Sequence, residues 1–254
     1  MLAALRGIPT LLAEQNAVPG LTNRILSRVV SAAAVTFDST VSFFGRRGFV
    51  AGNPVRPEFL TELPSDGGGD SSAAGQRARV LIFGGSQGAH AINVAMVEAA
   101  PRLAATGRLD LTHQTGERDV ELVRRGYADA GLTARVEPFL YAMDREMKLA
   151  DLVVSRAGAT SIAELTAAGR ASILVPLPTA ADDHQKKNAE VLLRAGAAEM
   201  IEQKDLTGTV LAERLMALTG DHARRHAMAG AARKLARPDA ARVIVDRVLE
   251  LAGC

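Results

Sequence analysis

The stretch Asp151–Asn188, DLVVSRAGATSIAELTAAGRASILVPLPTAADDHQKKN, decides the fold. Leu152, Val153 and Val154 make an apolar run suited to a buried strand. Small residues interrupt it at Ser155-Arg156-Ala157-Gly158-Ala159. Ile162, Leu165 and Ala168 then recur at helical spacing until Gly169 supplies a C-cap. A second buried run, Ile173 to Leu177, is closed by Pro176 and Pro178. Strand, turn, helix and strand in this order make a βαβ unit of a doubly wound parallel α/β sheet. In such sheets ligands bind beyond the carboxyl ends of the strands, where a helix begins with unpaired N–H groups and a positive dipole end.

Ser161 and Glu164 fit two descriptions. As S-x-x-E they make a capping box, each side chain satisfying an orphan N–H. Alternatively, Ser161 and its neighbouring N–H groups face a phosphate while Glu164 accepts from two sugar hydroxyls, since a carboxylate offers four lone-pair sites. The local spacing is compatible with both.

Composition narrows the class. The 254 residues are 48% hydrophobic and 23% charged, as expected of a globular chain of one large or two ordinary domains. With 30 basic and 28 acidic residues the net charge is +2, too balanced for a nucleic-acid footprint. The single cysteine, Cys254, excludes an internal disulfide or a zinc-thiolate cluster and suits a reducing compartment. The longest apolar run, around Val29 to Phe37, is broken by Ser31 and Thr36 and falls short of a membrane span. Arg6, Gly7 and Pro9 cut short the Leu/Ala-rich start, leaving no signal-peptide core, so a cytoplasmic protein is expected.

Residues 1–52 read as a short helix, a strand over Pro9–Ala13, a helix over Leu21–Arg28 and a strand over Ala33–Phe37. That is too little to bury a core alone, and the expectation is the remnant of a domain whose beginning is absent. Residues 53–76 read as a hinge and linker, with GNPVRP stiff and PSDGGGDSSAAGQ flexible. Residues 77–237 read as a complete second domain, and 238–254 as a helix packing back on the N-terminal part. Asn16, just after a strand, fits turn chemistry or a polar probe into a cleft. Arg56, between two prolines at the hinge, fits a solvated arginine or a phosphate contact.

Val80-Leu81-Ile82-Phe83 reads as a buried strand, and Gly84-Gly85-Ser86-Gln87-Gly88-Ala89 turns it into a helix reaching about Ala100. Glycines there let the backbone approach an anion. A nicotinamide dehydrogenase would need an acidic residue after the next strand, but that strand runs into His113-Gln114-Thr115-Gly116. The turn is not a P-loop, because no Gly-Lys-Ser/Thr follows. Asp182-Asp183-His184-Gln185 opens a further helix, where aspartate is favoured by capping and dipole more than by a metal.

Six motifs in order carry a resemblance. They are Glu14-Gln15-Asn16 with Pro19 to Arg24, Gly52 to Arg56, Gly84 to Ala89, His113 to Gly116, Ser155 to Ala159 with Ala163-Glu164, and Asp182 to Asn188. Together they resemble the MurG family, transferases that use UDP-N-acetylglucosamine (UDP-GlcNAc) and lipid I in peptidoglycan synthesis. The resemblance implies a GT-B fold, two Rossmann-like domains facing a cleft, with the donor held mainly by the C-terminal one. It places Asn16 at or near the sugar, and Arg56 and Ser86 on the diphosphate side. It gives Leu140 a backbone contact with uracil and Ala159, Thr160, Ser161 and Ile162 helix N–H contacts to the phosphates. Ala163 adjoins these, Glu164 holds the ribose hydroxyls and Gln185 meets the sugar. It implies inverting transfer with no cofactor and no protein-held metal, at the cytoplasmic face of the membrane in peripheral contact.

Departures from the pattern qualify this. The family's N-terminal Gly-rich loop and its histidine have no counterpart here, so the general base is expected in a missing N-terminal part and no catalytic residue is assigned. Ser161 stands where threonine is usual, and Ala171 where proline is usual. The leading expectation is an inverting glycosyltransferase of this type, moving N-acetylglucosamine from UDP-GlcNAc to lipid I to form lipid II, with the chain as given expected to bind donor without transferring sugar. Two alternatives are a non-catalytic UDP-sugar-binding remnant and another GT-B activity such as a UDP-sugar epimerase.

Overall fold

The structure is a computed structural model that describes residues 2–61, 77–85, 87–178, 180 and 183–253. Its larger sheet contains β4 (Ala78–Phe83), β5 (Leu109–Gln114), β6 (Ala134–Glu137), β7 (Leu152–Ser155), β8 (Ala171–Leu174) and β9 (Ala198–Met200). All pairings are parallel, in the spatial order β6-β5-β4-β7-β8-β9. The chain winds outward from β4 in one direction, then returns to its other side at β7. The β4/β7 seam is therefore the topological switch point, where helices leave to opposite faces and open a crevice.

Alternation along the strands divides the core in two. Val80, Ile82 and Val154 point to a face covered by α4 (His90–Ala104), α5 (Val120–Asp129) and α9 (Gly208–Gly220). Leu81, Phe83 and Val153 point to the other, packed by α6 (Met143–Leu149), α7 (Ala159–Ala168) and α8 (His184–Arg194). Burial on both faces explains why these strands read as continuous apolar runs.

The smaller sheet is parallel too, with β1 (Leu11–Glu14), β2 (Ala32–Val35) and β3 (Gly48–Val50) in sequence order. The short helices α1 (Leu2–Leu5), α2 (Leu21–Leu26) and α3 (Asp38–Phe44) accompany it. Its core is small, built on Leu12, Val30, Ala33, Val35 and Phe44. Residues α10 (His222–Leu235) and α11 (Ala240–Ala252) complete the chain, and α11 faces Arg46, Arg47 and Phe49 across a surface cavity.

Several expected boundaries move. β8 begins at Ala171 and stops at Leu174, ahead of the two prolines that cannot donate to a ladder. Helix α4 continues past Ala100 through Pro101 to Ala104. Periodicity gave no sign of α3 or β3, whose seven and three residues are too short to show a period. Asp183 occupies the N-cap position of α8 but its side chain makes no capping bond, and its backbone is left-handed at φ 52°. The capping explanation therefore fails for Asp183, and Asp182 lies outside the described residues.

The connection between the sheets is fastened to the larger one. Phe59 is buried among Leu81, Leu140 and Met147, and the Lys148 ammonium donates to the Glu58 carbonyl and, at 3.4 Å, to Thr61 Oγ1. Gly52, at φ 91°, is pressed against Arg237, where an added Cβ would lie 2.3 Å from the arginine Cβ. Only glycine fits there.

Candidate functional site

The site grows from the end of β7. Ser155 is paired with Phe83 of β4 at the switch point, and the turn 156–158 leads directly into α7. Gly158 is the N-cap, in extended conformation at φ −65° and ψ 148°, and its carbonyl accepts the first helical bond from the Ile162 N–H at 2.9 Å. The N–H groups of Ala159, Thr160 and Ser161 consequently have no partner among the described residues. Ser161 is the third helical residue and makes no capping bond. That removes the capping-box reading of Ser161 and Glu164. It also separates Ile162 from its three predecessors, because its N–H is already committed to Gly158 and its side chain is buried.

Glu164 is 9% exposed, and its Oε1 lies 3.3 Å from Nη2 of Arg56. Burial pushes the Glu164 carboxyl above the usual carboxylate range, and the Arg56 guanidinium acts against that shift. Arg56 itself is held over the Phe59 ring, 5.0 Å from the centroid. So two residues 108 positions apart meet beside the open helix end.

Gln185 is placed just behind the turn. Its Oε1 accepts from the N–H of Ala157 at 3.3 Å and of Leu177 at 3.0 Å, which leaves its NH₂ group for another partner. Asn188, fully buried, donates to the Ala157 carbonyl at 3.2 Å and to Asn16 Oδ1 at 3.1 Å, and accepts from the Ala17 N–H at 2.8 Å. Asn16 is thereby brought from the smaller sheet to the same turn. Leu140 is buried in the same cluster as Phe59 and Met147. Ser86 lies outside the described residues.

Three groups escaped the sequence reading. Arg156 donates to the carbonyls of Val175 and Pro176 at 3.1 and 3.3 Å and to Gln203 Oε1 at 2.7 Å, with no carboxylate in this set. Burial lowers its pKa, and the guanidinium still carries its charge close to the turn. A lone arginine between Ser155 and Ala157, directly after a buried strand, was the available signal. Asn188 was quoted only as part of a motif.

The third is a buried polar cluster beneath the glycine turn. Asn93 Nδ2 donates to the Thr115 carbonyl at 2.9 Å and to Asp119 Oδ2 at 2.8 Å. Its Oδ1 must then accept from His113 Nε2 at 3.0 Å, so His113 carries its proton on Nε2 and accepts from the Tyr127 hydroxyl at Nδ1, 2.7 Å away. Burial alone lowers the His113 pKa to about 3 and raises that of Tyr127, so both stay neutral. For Asp119 burial pushes the pKa up, but hydrogen bonds from Asn93 and His90 outweigh it and the net shift is downward. The cluster fixes Thr115 and Gly116, against which the glycine turn rests: a Cβ on Gly88 would fall 1.9 Å from the Thr115 oxygen.

The fold is that of a GT-B glycosyltransferase, with an open helix end and a buried carboxylate at the switch point of a parallel sheet. Residues 79–244 match the glycosyltransferase family 28 C-terminal domain. The UDP-N-acetylglucosamine--N-acetylmuramyl-(pentapeptide) pyrophosphoryl-undecaprenol N-acetylglucosamine transferase of Pelobacter propionicus is 46% identical over 97% of this chain and 70% of its own length. The crystal structure of Acinetobacter baumannii MurG superposes with a TM-score of 0.84 at 36% identity, covering 98% of this chain and 69% of that one. The chain belongs to the MurG family. It spans between 59 and 70% of the length of the curated relatives it matches. A UDP-GlcNAc 2-epimerase from Neisseria meningitidis, bound to UDP-GlcNAc, shares the fold at a TM-score of 0.66 with 12% identity, covering 98% of this chain and 71% of that one. At that identity the likeness is one of fold alone.

Proposed function

We propose that this protein takes part in transfer of N-acetylglucosamine from UDP-GlcNAc to lipid I, forming lipid II, and that residues 77–237 hold the donor. The observation that carries the reading is the meeting of three unpartnered helix N–H groups with buried Glu164 and Arg56 at the switch point. The donor has complementary chemistry: a diphosphate for the N–H groups and a ribose diol for the carboxylate. The names of the family relatives supply the sugar and the acceptor.

In this reading the N–H groups of Ala159, Thr160 and Ser161 hold the diphosphate, with Ser86 and Arg56 beside it. Glu164 accepts from the ribose hydroxyls, the backbone at Leu140 meets the uracil, and the Gln185 amide and Asn16 face the sugar. Ala163 keeps the wall beside Glu164 low. As the glycosidic bond breaks, charge develops on the departing UDP. The helix end is already oriented toward it, so little reorganisation is needed. The attacking hydroxyl must lose a proton. Glu14 already accepts from Asn16, Gly20 and Asn23, and Glu164 is assigned to the ribose, so neither is assigned as the base.

The acceptor's lipid places the work at the cytoplasmic face of the membrane, in peripheral contact. No described helix is long and apolar enough to cross it. Calorimetric titration tests the donor site: UDP-GlcNAc should bind the wild type, and Glu164→Ala should bind it distinctly more weakly. Equal affinities would remove Glu164 from the site. Transfer itself is tested with radiolabelled UDP-GlcNAc and lipid I, and donor binding without any labelled lipid would confine this chain to the binding half of the reaction.

A further inference from the structure

The Gln185 side chain is bonded to the rest of the site through its oxygen only. Oε1 accepts from two N–H groups in different loops, that of Ala157 after β7 at 3.3 Å and that of Leu177 after β8 at 3.0 Å. A carboxamide oxygen held by two donors has little freedom left, so those N–H groups also aim its NH₂ end. That Nε2 has no partner among the described residues and is not sealed from solvent.

What sets the spacing of the two loops is a neighbouring side chain. Arg156 precedes Ala157, and its Nη1 donates to the carbonyls of Val175 and Pro176, the two residues before Leu177, at 3.1 and 3.3 Å. Its Nη2 donates to Oε1 of Gln203 at 2.7 Å. Gln203 opens the short helical turn Gln203–Asp205 that follows β9. A planar guanidinium bonded through both terminal nitrogens cannot swing about either one. One side chain thus braces three adjacent strands, β7, β8 and β9, at their carboxyl ends. The start of α8 is tied to the same segment, since Nζ of Lys186 lies 2.7 Å from Oε1 of Glu202. Position 185 is held from both sides while its amide stays open.

We propose that Arg156 and Gln203 are positioning residues for the donor's sugar: they keep the Ala157 and Leu177 N–H groups in register, which aims the Gln185 amide at a sugar hydroxyl. They act through Gln185. The inference rests on the reading above, in which Gln185 faces the sugar.

Calorimetric titration of the 254-residue protein with UDP and with UDP-GlcNAc tests it, the readout being the ratio of the two dissociation constants. Gln185→Leu should weaken UDP-GlcNAc relative to UDP by about three- to tenfold, the scale of one neutral hydrogen bond. Arg156→Lys, whose single ammonium cannot reach all three acceptors, and Gln203→Leu should each shift the ratio the same way by about threefold, with UDP itself within about twofold. Added to Gln185→Leu, neither should shift the ratio further. Gln203→Glu keeps the acceptor and should retain the wild-type ratio. A loss shared equally by UDP and UDP-GlcNAc, an unchanged ratio, or a shift that persists beside Gln185→Leu would overturn the inference. Wild-type protein that binds neither compound would refute the donor reading, and the inference with it. The two substitutions are separate tests, so misfolding of Arg156→Lys leaves Gln203→Leu to decide.

Discussion

Glu164 is a carboxylate in a place that disfavours its charge. Burial raises its pKa, and the guanidinium of Arg56 at 3.3 Å is what opposes that rise. If ionised Glu164 accepts from the ribose diol, replacing it by alanine leaves two hydroxyls without partners, at a cost of about 1–3 kcal/mol. The expected result for Glu164→Ala is a dissociation constant for UDP-GlcNAc roughly five to 150 times higher. A pH dependence follows, with a definite sign. Binding should weaken as pH falls through the Glu164 pKa, which lies above the ordinary carboxylate value. Arg56→Ala removes the opposing charge, so the same decline should begin at higher pH. Calorimetry between pH 4.5 and 8 on both proteins checks this, and coincident profiles would mean that Arg56 does not govern the carboxylate. Arg56→Ala should also weaken UDP more than Ser86→Ala does, because a guanidinium offers a charged fork and a hydroxyl one neutral donor.

At the scale of elements, the glycine turn after β4 is held from below by Asn93 and His113. His113 has a folded pKa of about 3 against its ordinary 6.5, so the unfolded chain binds a proton that the folded one refuses. This term is fully present above about pH 6.5, is lost as pH falls, and levels off below about pH 3. Urea midpoints should therefore drop between pH 7 and 5 for the wild type and drop less for His113→Gln, although that variant starts lower. Gly88→Ala forces a Cβ into the Thr115 carbonyl at φ 73° and should disrupt both turns. How much of this was legible follows from range in sequence. The βαβ unit 152–174 is local, and its strand, turn and C-cap glycine announced themselves within a few residues. The identity of the cap was not legible, since S-x-x-E suits a capping box and an open helix end equally. Asn93 and His113 are brought together by a parallel crossover from β4 to β5, and Arg56 meets Glu164 where the segment connecting the two sheets docks beside α7. Nothing in either local stretch records that meeting. Motifs shared with a family marked Arg56 and Glu164, but the bond between them is a property of the fold.

On the scale of the molecule, the question is whether the two sheets behave as one body. The smaller sheet has a core of five buried apolar residues, too few to balance the chain entropy of ordering some fifty residues. It is joined to the larger sheet through Asn188 to Asn16 and Ala17, through Arg237 to Asp38, and through the Lys148 clamp on the connecting segment. A unit that cannot stand alone and is bonded at three places should unfold together with its neighbour. Differential scanning calorimetry should therefore show one transition for residues 1–254. A ligand that binds only the folded state at 100 times its dissociation constant adds about 2.7 kcal/mol. For a chain of this size that raises Tm by about 5–10 °C. UDP at that concentration should move the single transition as a whole, although all its proposed contacts but Arg56 lie in residues 77–237. Two transitions, with only the upper one responding to UDP, would show that the sheets are uncoupled and that the Asn188 bonds do not join them. If there is one transition and Asn188→Leu splits it, the coupling runs through that residue.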